Sequence, residues 1–262
     1  MAAATSALRR IALVTGASQG MGKCIALRLA ADGFKVAIND VATKENQLQE
    51  VVTQIEANGG EAMSVVADVT KEDNVQAMTS QVVKQMGGLD VMVANAGIFG
   101  PFKPLVELSV DEFEQLMSVN MRGVMLSYKH AALQMIKQGR GGRIIGAASQ
   151  VGIQGMPNIS AYCASKFGVR GLTHSAAREL AQYKITVNAY APGHILTEMN
   201  LKPEDSINGG PGSTTKKILG LPADAPVGEP EVAASLVSYL AKPESYFITG
   251  QTIGVNGGII CS

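Results

Sequence analysis

The chain has 262 residues, with 22 basic and 22 acidic side chains and a formal net charge of zero at pH 7. This length suffices for one sizeable α/β core, so we expect 1–262 to form a single domain. The balanced charge, without a basic run, does not suit a phosphate backbone, and a nucleic-acid partner is not predicted.

The few cysteines and histidines exclude two further classes of protein. Cys24, Cys163 and Cys261 are far apart and form no CxxC pair, and the three histidines have no ligand spacing. Neither a disulfide framework nor a metal site is therefore predicted. Residues 1–7 lack the apolar core of a signal peptide, and no segment is long enough to cross a bilayer, so we expect a cytoplasmic protein without a membrane partner.

Short apolar runs alternate with helical patterns along the chain. The predicted strands are 11–15, 35–39, 62–67, 89–94, 143–147, 185–189 and 251–255. The predicted helices are 22–31, 44–57, one with a capped start at 70–73, 109–138, 160–182 and 231–241. This alternation requires right-handed crossovers, and it predicts an α/β, doubly wound parallel sheet of about seven strands with helices on both faces.

One long segment, 198–228, interrupts the alternation. It is rich in glycine and proline and has little apolar periodicity. Long loops inside a compact domain commonly serve as lids over a binding site, although a simple surface excursion remains the alternative. We expect a substrate lid here.

A glycine-rich turn directly follows the first predicted strand, in the sequence Thr-Gly-Ala-Ser-Gln-Gly-Met-Gly at 15–22. Glycines at this place let the backbone approach a pyrophosphate, and the free N–H groups of the next helix supply positive potential. A glycine cluster alone is also compatible with an ordinary tight turn. Its position between strand and helix favours dinucleotide binding and a Rossmann-type sheet.

Asp40 ends the second predicted strand, about twenty residues beyond the glycine turn. A carboxylate there accepts hydrogen bonds from the adenosine ribose and repels a 2′-phosphate. No arginine or lysine follows immediately, and Gln19 stands where a basic residue could bind that phosphate. The pattern favours NAD over NADP; a solvated aspartate at a strand end is the other interpretation.

Tyr162 and Lys166 are four residues apart on a predicted helix, so their side chains share a face. An ammonium about 4 Å from a phenol, at an effective dielectric near 20, lowers the phenol pKa by up to about three units. Such a phenol can exchange protons near neutral pH. A lone pair with this spacing is often merely structural, so the interpretation depends on the surrounding motifs.

Those motifs together resemble the short-chain dehydrogenase/reductase family. In the right order they comprise the glycine turn, Ala94-Asn95-Ala96-Gly97, Asn120, Ser149, Tyr162-x-x-x-Lys166 and Pro192-Gly193. The resemblance runs from about 10 to 258. Two departures, alanine at 94 and Gly-Ala-Ala at 146–148, affect local packing rather than the catalytic set.

The resemblance implies a role for each matching residue. Tyr162 would be the general acid in reduction and the base in oxidation, and Ser149 would bind the reacting oxygen. Lys166 would hold the nicotinamide ribose, and Asn120 would position a relay water. The implied cofactor contacts are Gly16, Ser18, Gln19, Gly20, Met21, Gly22, Asp40, Asp68, Val69, Asn95, Ala96, Gly97, Tyr162, Lys166, Pro192, Gly193, Ile195 and Thr197.

Position in the chain suggests further substrate contacts beside Ser149 and Tyr162. The candidates are Gln150, Met156, His194 and Met199. Methionine is as often core filler as pocket lining, and His194 is equally compatible with a loop role. Cys163 lacks an activating neighbour and is predicted to be a structural thiol.

Within the family, the segments 141–145, 148–152, 165–173 and 176–181 most resemble diacetyl/acetoin reductases, also called 2,3-butanediol dehydrogenases. The substrate of an NAD(H)-dependent secondary-alcohol/ketone oxidoreductase would then be a small diketone or ketol. Alternatives are a bulkier specialised metabolite such as a terpenoid alcohol, a 3-oxoacyl thioester, and a catalytically silent dinucleotide-binding scaffold. A sugar-nucleotide epimerase is disfavoured by length and glycine spacing.

A homo-oligomer, with a tetramer favoured, is expected from the same resemblance. Family members pair the helices that correspond to 111–138 and 160–182 here. The small or apolar residues on these helices suit close packing between chains, or equally an internal core. These residues are Ala131, Ala132, Phe167, Leu172 and Ala176.

Overall fold

The computed structural model describes residues 10–261, so the prediction about a signal sequence at 1–7 lies outside the described residues. Seven parallel strands form one sheet in the order β3-β2-β1-β4-β5-β6-β7. The strands are β1 Ile11–Thr15, β2 Lys35–Asp40, β3 Glu61–Val66, β4 Val91–Ala94, β5 Gly142–Ala147, β6 Ile185–Pro192 and β7 Thr252–Val255. The predicted doubly wound, Rossmann-type fold is confirmed.

Helices cover both faces of this sheet. They are α1 Gly20–Ala31, α2 Glu45–Ala57, α3 Glu72–Met86, α4 Val110–Met117, α5 Gly123–Gln138, α6 Ser160–Leu180, α7 Asp205–Asn208, α8 Ser213–Ile218 and α9 Pro230–Ala241. The core of one face joins α3, α5 and α6 to the sheet, and the core of the other joins α1, α2 and α9. The central strands β1, β4, β5 and β6 are buried along their whole length, as continuous apolar runs require.

The strand order reverses between β1 and β4. The chain runs from β1 outward to β2 and β3, then crosses back to β4 on the other side of β1. The carboxyl ends of the two central strands consequently diverge into loops on opposite faces and leave a crevice. The glycine turn after β1 and the loop after β4 both open into it.

Two local predictions differ from the structure. The predicted helix 109–138 is interrupted by a π-helical turn at Ser118–Arg122 between α4 and α5, although its capping box at Ser109 and Glu112 is present. The predicted side-chain cap at 70–73 is absent: Lys71 is the N-cap without a side-chain bond, because the Thr70 hydroxyl donates to Asp68 instead.

The segment 198–228 contains two short helices, α7 and α8, organised by one buried carboxylate. Asp205 accepts backbone N–H groups from Lys202 at 3.0 Å, Gly212 at 2.9 Å and Thr214 at 2.9 Å. These bonds hold the pKa of Asp205 well below its usual range. A sequence with little apolar periodicity is thus folded by backbone hydrogen bonds to a side chain.

Within 10–261, every helix is too short or too polar to span a bilayer. The same residues contain no cluster of three His, Cys, Asp or Glu side chains with the geometry of a metal site.

Candidate active site

A cleft of about 370 Å³ lies at the carboxyl ends of the central strands. It brings together most of the residues predicted to contact the cofactor: Gly16, Ser18, Gln19, Gly20, Met21, Gly22, Asp40, Asp68, Val69, Asn95, Ala96, Gly97, Tyr162, Lys166, Pro192 and Thr197, together with Met199. These residues come from four loops, the ends of two strands and two helices. Their convergence is a property of the fold rather than of any one motif.

The glycine turn is as tight as the sequence predicts. Gly16 has a φ of +64°, and a Cβ on Gly22 would lie 2.1 Å from the Gly16 carbonyl oxygen. Asn95, from the loop after β4, donates to the carbonyls of Thr15 at 2.9 Å and Gly16 at 3.0 Å, and Tyr190 donates to Asn95 at 2.7 Å. The turn is thereby fixed with bare backbone facing the cleft, which a pyrophosphate requires.

Asp40 lies at the end of the cleft where an adenosine ribose would be held. Its carboxylate accepts the Ser18 hydroxyl at 2.6 Å and the Val41 N–H at 2.9 Å. Four residues later, Lys44 also lines the cleft and donates to the Gln19 side chain at 2.9 Å. Sequence reasoning missed this lysine because only the residues immediately after Asp40 were considered.

The π-helical turn directs Asn120 inward. Its side chain is fully buried; its Oδ1 accepts the Ile98 N–H at 2.8 Å, and its Nδ2 donates to the Ile98 carbonyl at 2.9 Å. A Cβ added at Gly97 would lie 3.3 Å from Asn120 Oδ1 and 3.6 Å from Lys166 Nζ. Asn120 and Lys166 therefore border the same narrow space above Gly97. The inserted residue of a π turn is a common way to place one side chain out of helical register.

Ser149, Tyr162 and Lys166 form the polar centre of the site. Ser149 follows β5, while α6 carries Tyr162 and Lys166 one turn apart. The Lys166 ammonium donates to the Ala147 carbonyl at 2.9 Å and lies 5.4 Å from the centroid of the Tyr162 ring. Lys166 is only 3% exposed.

Burial, rather than the lysine, dominates the pKa of the phenol. Burial raises the pKa of Tyr162 to about 12, and a hydrogen bond to the Ser149 side chain opposes this shift. Burial also lowers the pKa of Lys166 to about 8. The lowered tyrosine pKa expected from an ammonium about 4 Å away is therefore wrong: the ammonium is bound by the Ala147 carbonyl, and desolvation disfavours both charges.

Several predicted contacts lie outside this cleft. Ile195 and His194 line a separate pocket beside Gly254–Gly258, and the ring of His194 packs under Gly212. Gly193 approaches the buried side chain of Gln150. The Gln150 Oε1 and His194 Nε2 atoms are buried without a hydrogen-bond partner among the described residues.

A small apolar cluster adjoins Tyr162. Buried Val151, Ile159 and Cys163 pack with the partly buried side chains of Phe99, Met156, Tyr162 and Leu219. Met156 is therefore packed with Cys163, whose thiol lies among apolar side chains and near the Met156 backbone. Phe99, which sequence reasoning did not single out, contacts the Tyr162 ring. No local motif marks it, because its importance comes from a residue 63 positions away.

With this geometry in place, comparison with known proteins identifies the family. The short chain dehydrogenase family model matches residues 10–207. The protein belongs to the short-chain dehydrogenase/reductase family, an oxidoreductase fold that binds a nicotinamide dinucleotide. The resemblance proposed from the sequence is confirmed.

Three curated relatives cover nearly the whole chain. A short-chain dehydrogenase/reductase of Armillaria gallica is 48% identical, covering 99% of both chains. An L-2,3-butanediol dehydrogenase of Corynebacterium glutamicum is 42% identical, covering 97% of this chain and 99% of its own. A 3-oxoacyl-[acyl-carrier-protein] reductase of Staphylococcus aureus is 41% identical, covering 96% of this chain and 98% of its own.

Solved structures show the same fold. A short-chain type dehydrogenase/reductase from Mycobacterium marinum superimposes with a TM-score of 0.86 at 36% identity, covering 97% of each chain. A metagenomic blue fluorescent protein in complex with NADPH superimposes with a TM-score of 0.85 at 34% sequence identity, covering 96% of this chain and 98% of its own. An acetoin dehydrogenase from Salmonella typhimurium superimposes with a TM-score of 0.81 at 32% sequence identity, covering 95% of each chain.

Proposed function

We propose that the protein is an NAD(H)-dependent oxidoreductase that interconverts a secondary alcohol and a ketone. The observation that carries this proposal is a Tyr162 phenol that meets the Ser149 side chain and lies one helical turn from Lys166, at a cleft whose glycine turn suits a pyrophosphate. The dinucleotide supplies or accepts the hydride at the carbonyl carbon. The chain's residues bind the substrate and handle its proton.

In the direction of reduction, the Ser149 hydroxyl binds the carbonyl oxygen and Tyr162 donates its phenolic proton to that oxygen. A phenol with a pKa near 12 is fully protonated at neutral pH, which suits an acid. Lys166 holds the ribose and stabilises the phenolate that remains. Asn120, fixed by Ile98, positions water from which the phenolate regains its proton through Lys166.

NAD is the proposed cofactor because of Asp40. Its carboxylate faces the end of the cleft where a 2′-phosphate would be placed, and like charges repel. Ser18 and Val41 fix that carboxylate in position. The Lys44 ammonium opposes this preference, because a positive charge at this end of the cleft attracts a 2′-phosphate. A similar solved structure holds NADPH, so both cofactors need to be compared.

Diacetyl and acetoin are the first substrates to examine. The 42% identity to an L-2,3-butanediol dehydrogenase and the structural similarity to an acetoin dehydrogenase support this choice. A 3-oxoacyl thioester is the second candidate, supported by the similarity to the Staphylococcus aureus reductase. A bulkier secondary alcohol is the third, and the apolar cluster beside Tyr162 favours it.

Residues 1–262 act as a single cytoplasmic domain, with 198–228 as the substrate lid, and four copies assemble. Balanced charge supports a small-molecule substrate rather than nucleic acid. Exposed apolar side chains on α5 and α6 support assembly.

Initial rates of NADH and NADPH oxidation test the proposal, with diacetyl, a bulky cyclic ketone and an acetoacetyl thioester in parallel. We expect NADH-linked turnover of at least one ketone that is abolished in Tyr162→Phe. Turnover that is unchanged by Tyr162→Phe contradicts the mechanism. Preference for NADPH in the unmodified enzyme contradicts the role of Asp40.

A further inference from the structure

Three aromatic rings extend outward from the site of proton transfer. The Phe99 ring meets the Tyr162 ring edge-on, with a centroid distance of 4.7 Å and an interplanar angle of 71°. The Phe102 ring meets Phe99 at 4.8 Å and 87°. Phe99 is partly buried, whereas 36% of Phe102 is exposed. Phe99 and Phe102 thus form an aromatic wall from the phenol to the surface.

The remaining neighbours of this wall are also apolar. Met156 and Leu219 are partly buried and pack in the same cluster as Phe99 and Tyr162. Leu219 follows α8 in the 198–228 segment, so that segment contributes to the apolar surroundings of Tyr162. None of the side chains in this cluster carries a charge.

Two contacts hold the aromatic wall in place. The Lys103 N–H donates to the Asn158 carbonyl at 2.9 Å, which ties the loop of the wall to the loop before α6. The Lys103 ammonium pairs with Glu112 at 2.7 Å, so its charge is compensated beside α4. The wall is therefore preorganised, and the charge next to it is already paired.

This arrangement determines what can be attached to the reacting carbonyl. The Phe99 ring contacts the Tyr162 ring, so a bulky group on a carbonyl held by Tyr162 can reach the apolar cluster that contains Phe99. A hydrocarbon group there gains about fourfold in binding for each CH₂ that it removes from water. A second carbonyl or hydroxyl would instead lose hydration without gaining a partner in the cluster.

Building on the proposed ketone and alcohol chemistry, we propose that the substrate is an uncharged ketone or secondary alcohol with a ring or branched hydrocarbon group on the reacting carbon. Phe99 and Phe102 contact that group and determine specificity. Diacetyl, which places a second carbonyl at this position, is the poorer substrate.

The experiment compares 4-tert-butylcyclohexanone with diacetyl, using NADH and the full chain. We expect the unmodified enzyme to favour the cyclic ketone by about 100-fold in kcat/KM, from several buried carbons. Phe99→Ala should raise the KM for the cyclic ketone about tenfold or more, while the KM for diacetyl should change less than about threefold. Phe102→Ala should act in the same direction, and Phe247→Ala, at an 89% exposed phenylalanine elsewhere, should change neither substrate.

Each result separates this proposal from the proposed function. Preference for diacetyl with turnover that depends on Tyr162 overturns the substrate class and leaves the oxidoreductase function intact. An equal loss of kcat/KM for both substrates in Phe99→Ala and in Phe99→Leu indicates that Phe99 has a purely structural role. That result overturns the role of the aromatic wall in specificity. If no ketone is turned over, titration of the NADH complex with the cyclic ketone decides: binding weakened by Phe99→Ala supports the wall, and no binding overturns it.

Discussion

Tyr162 and Lys166 occupy a buried place in which both side chains are less charged than in water. Desolvation raises the pKa of the phenol to about 12 and lowers that of the ammonium to about 8. At neutral pH the phenol is therefore protonated, whereas Lys166 stays mostly charged but gives up its proton more readily than an exposed lysine.

Tyr162→Phe is expected to lower kcat by at least about a thousandfold while NADH binding stays within about threefold, because it deletes the transferable proton and little else. Initial rates and NADH fluorescence titration measure the two effects. Tyr183→Phe, at an exposed tyrosine in the turn after α6, is the control and should behave like the unmodified enzyme. A matching loss in the control contradicts a specific role for Tyr162.

Lys166→Met is expected to unfold at a higher temperature than the unmodified protein at pH 7, although it is inactive. The pKa of Lys166 is near 8 in the folded protein and 10.5 in the unfolded chain. Below pH 8 the lysine is charged in both states, and keeping that charge buried lowers the free energy of unfolding. Between pH 8 and 10.5 only the unfolded chain binds the proton, so stability rises with pH.

The expected gain is about 1 to 2 kcal/mol at pH 7, since the variant also leaves the Ala147 carbonyl without its donor. Thermal unfolding at pH 7 and pH 10 measures it. A difference between the two proteins that does not shrink toward pH 10 contradicts the burial argument.

Asp40 and Lys44 are expected to act in opposite senses on cofactor choice. Asp40→Ala should weaken the binding of NADH by about tenfold or more, since the carboxylate no longer accepts a hydrogen bond from the adenosine ribose. The same change should improve kcat/KM for NADPH. Adding Lys44→Ala should remove much of that improvement, because the ammonium beside Gln19 then no longer attracts the phosphate.

Steady-state kinetics with both cofactors measure these effects, and Lys137→Ala, an exposed lysine near the end of α5, is the matched control. An improvement for NADPH that survives Lys44→Ala assigns cofactor choice to Asp40 alone.

At the scale of elements, the 198–228 segment depends on Asp205. Asp205→Ala removes the acceptor of three backbone N–H groups, so we expect a KM for the ketone raised by about tenfold, faster proteolysis within the segment, and unchanged NADH binding. The pKa of Asp205 is lowered, so its contribution is complete at neutral pH and is lost only as pH falls through the folded pKa.

Kinetics together with limited proteolysis test this prediction. Asp224→Ala, at an exposed position of the same segment, should leave both measurements unchanged. Unchanged proteolysis in Asp205→Ala contradicts the role of its hydrogen bonds in ordering the segment.

For the molecule as a whole, the outward apolar side chains on α5 and α6 favour assembly. Ala131, Ala132 and Ala176, which the sequence suggested for contacts between chains, are buried in the chain's own core. Leu133 is 55% exposed and Phe167 43% exposed, so these two are the better candidates. Buried charge at an apolar interface is strongly unfavourable.

Light scattering is expected to give the mass of four chains for the unmodified protein and a smaller assembly for Leu133→Glu combined with Phe167→Glu. Gln49→Glu combined with Gln54→Glu, at exposed positions of α2 on the other face of the sheet, adds the same charge and should leave the mass unchanged. A monomeric unmodified protein contradicts the proposed tetramer.

The amino-acid sequence by itself determined the order of strands and helices, the glycine turn, the carboxylate at Asp40 and the spacing of Tyr162 and Lys166. These features depend on side-chain periodicity and on backbone sterics between near neighbours, which act locally. Only the tertiary structure decided that Lys44 meets Gln19, that Phe99 covers Tyr162, that a π turn directs Asn120 inward, and that burial shifts the pKa of Tyr162 upward. Such contacts join residues distant in the chain, and burial depends on how all the layers pack, so no local pattern contains them.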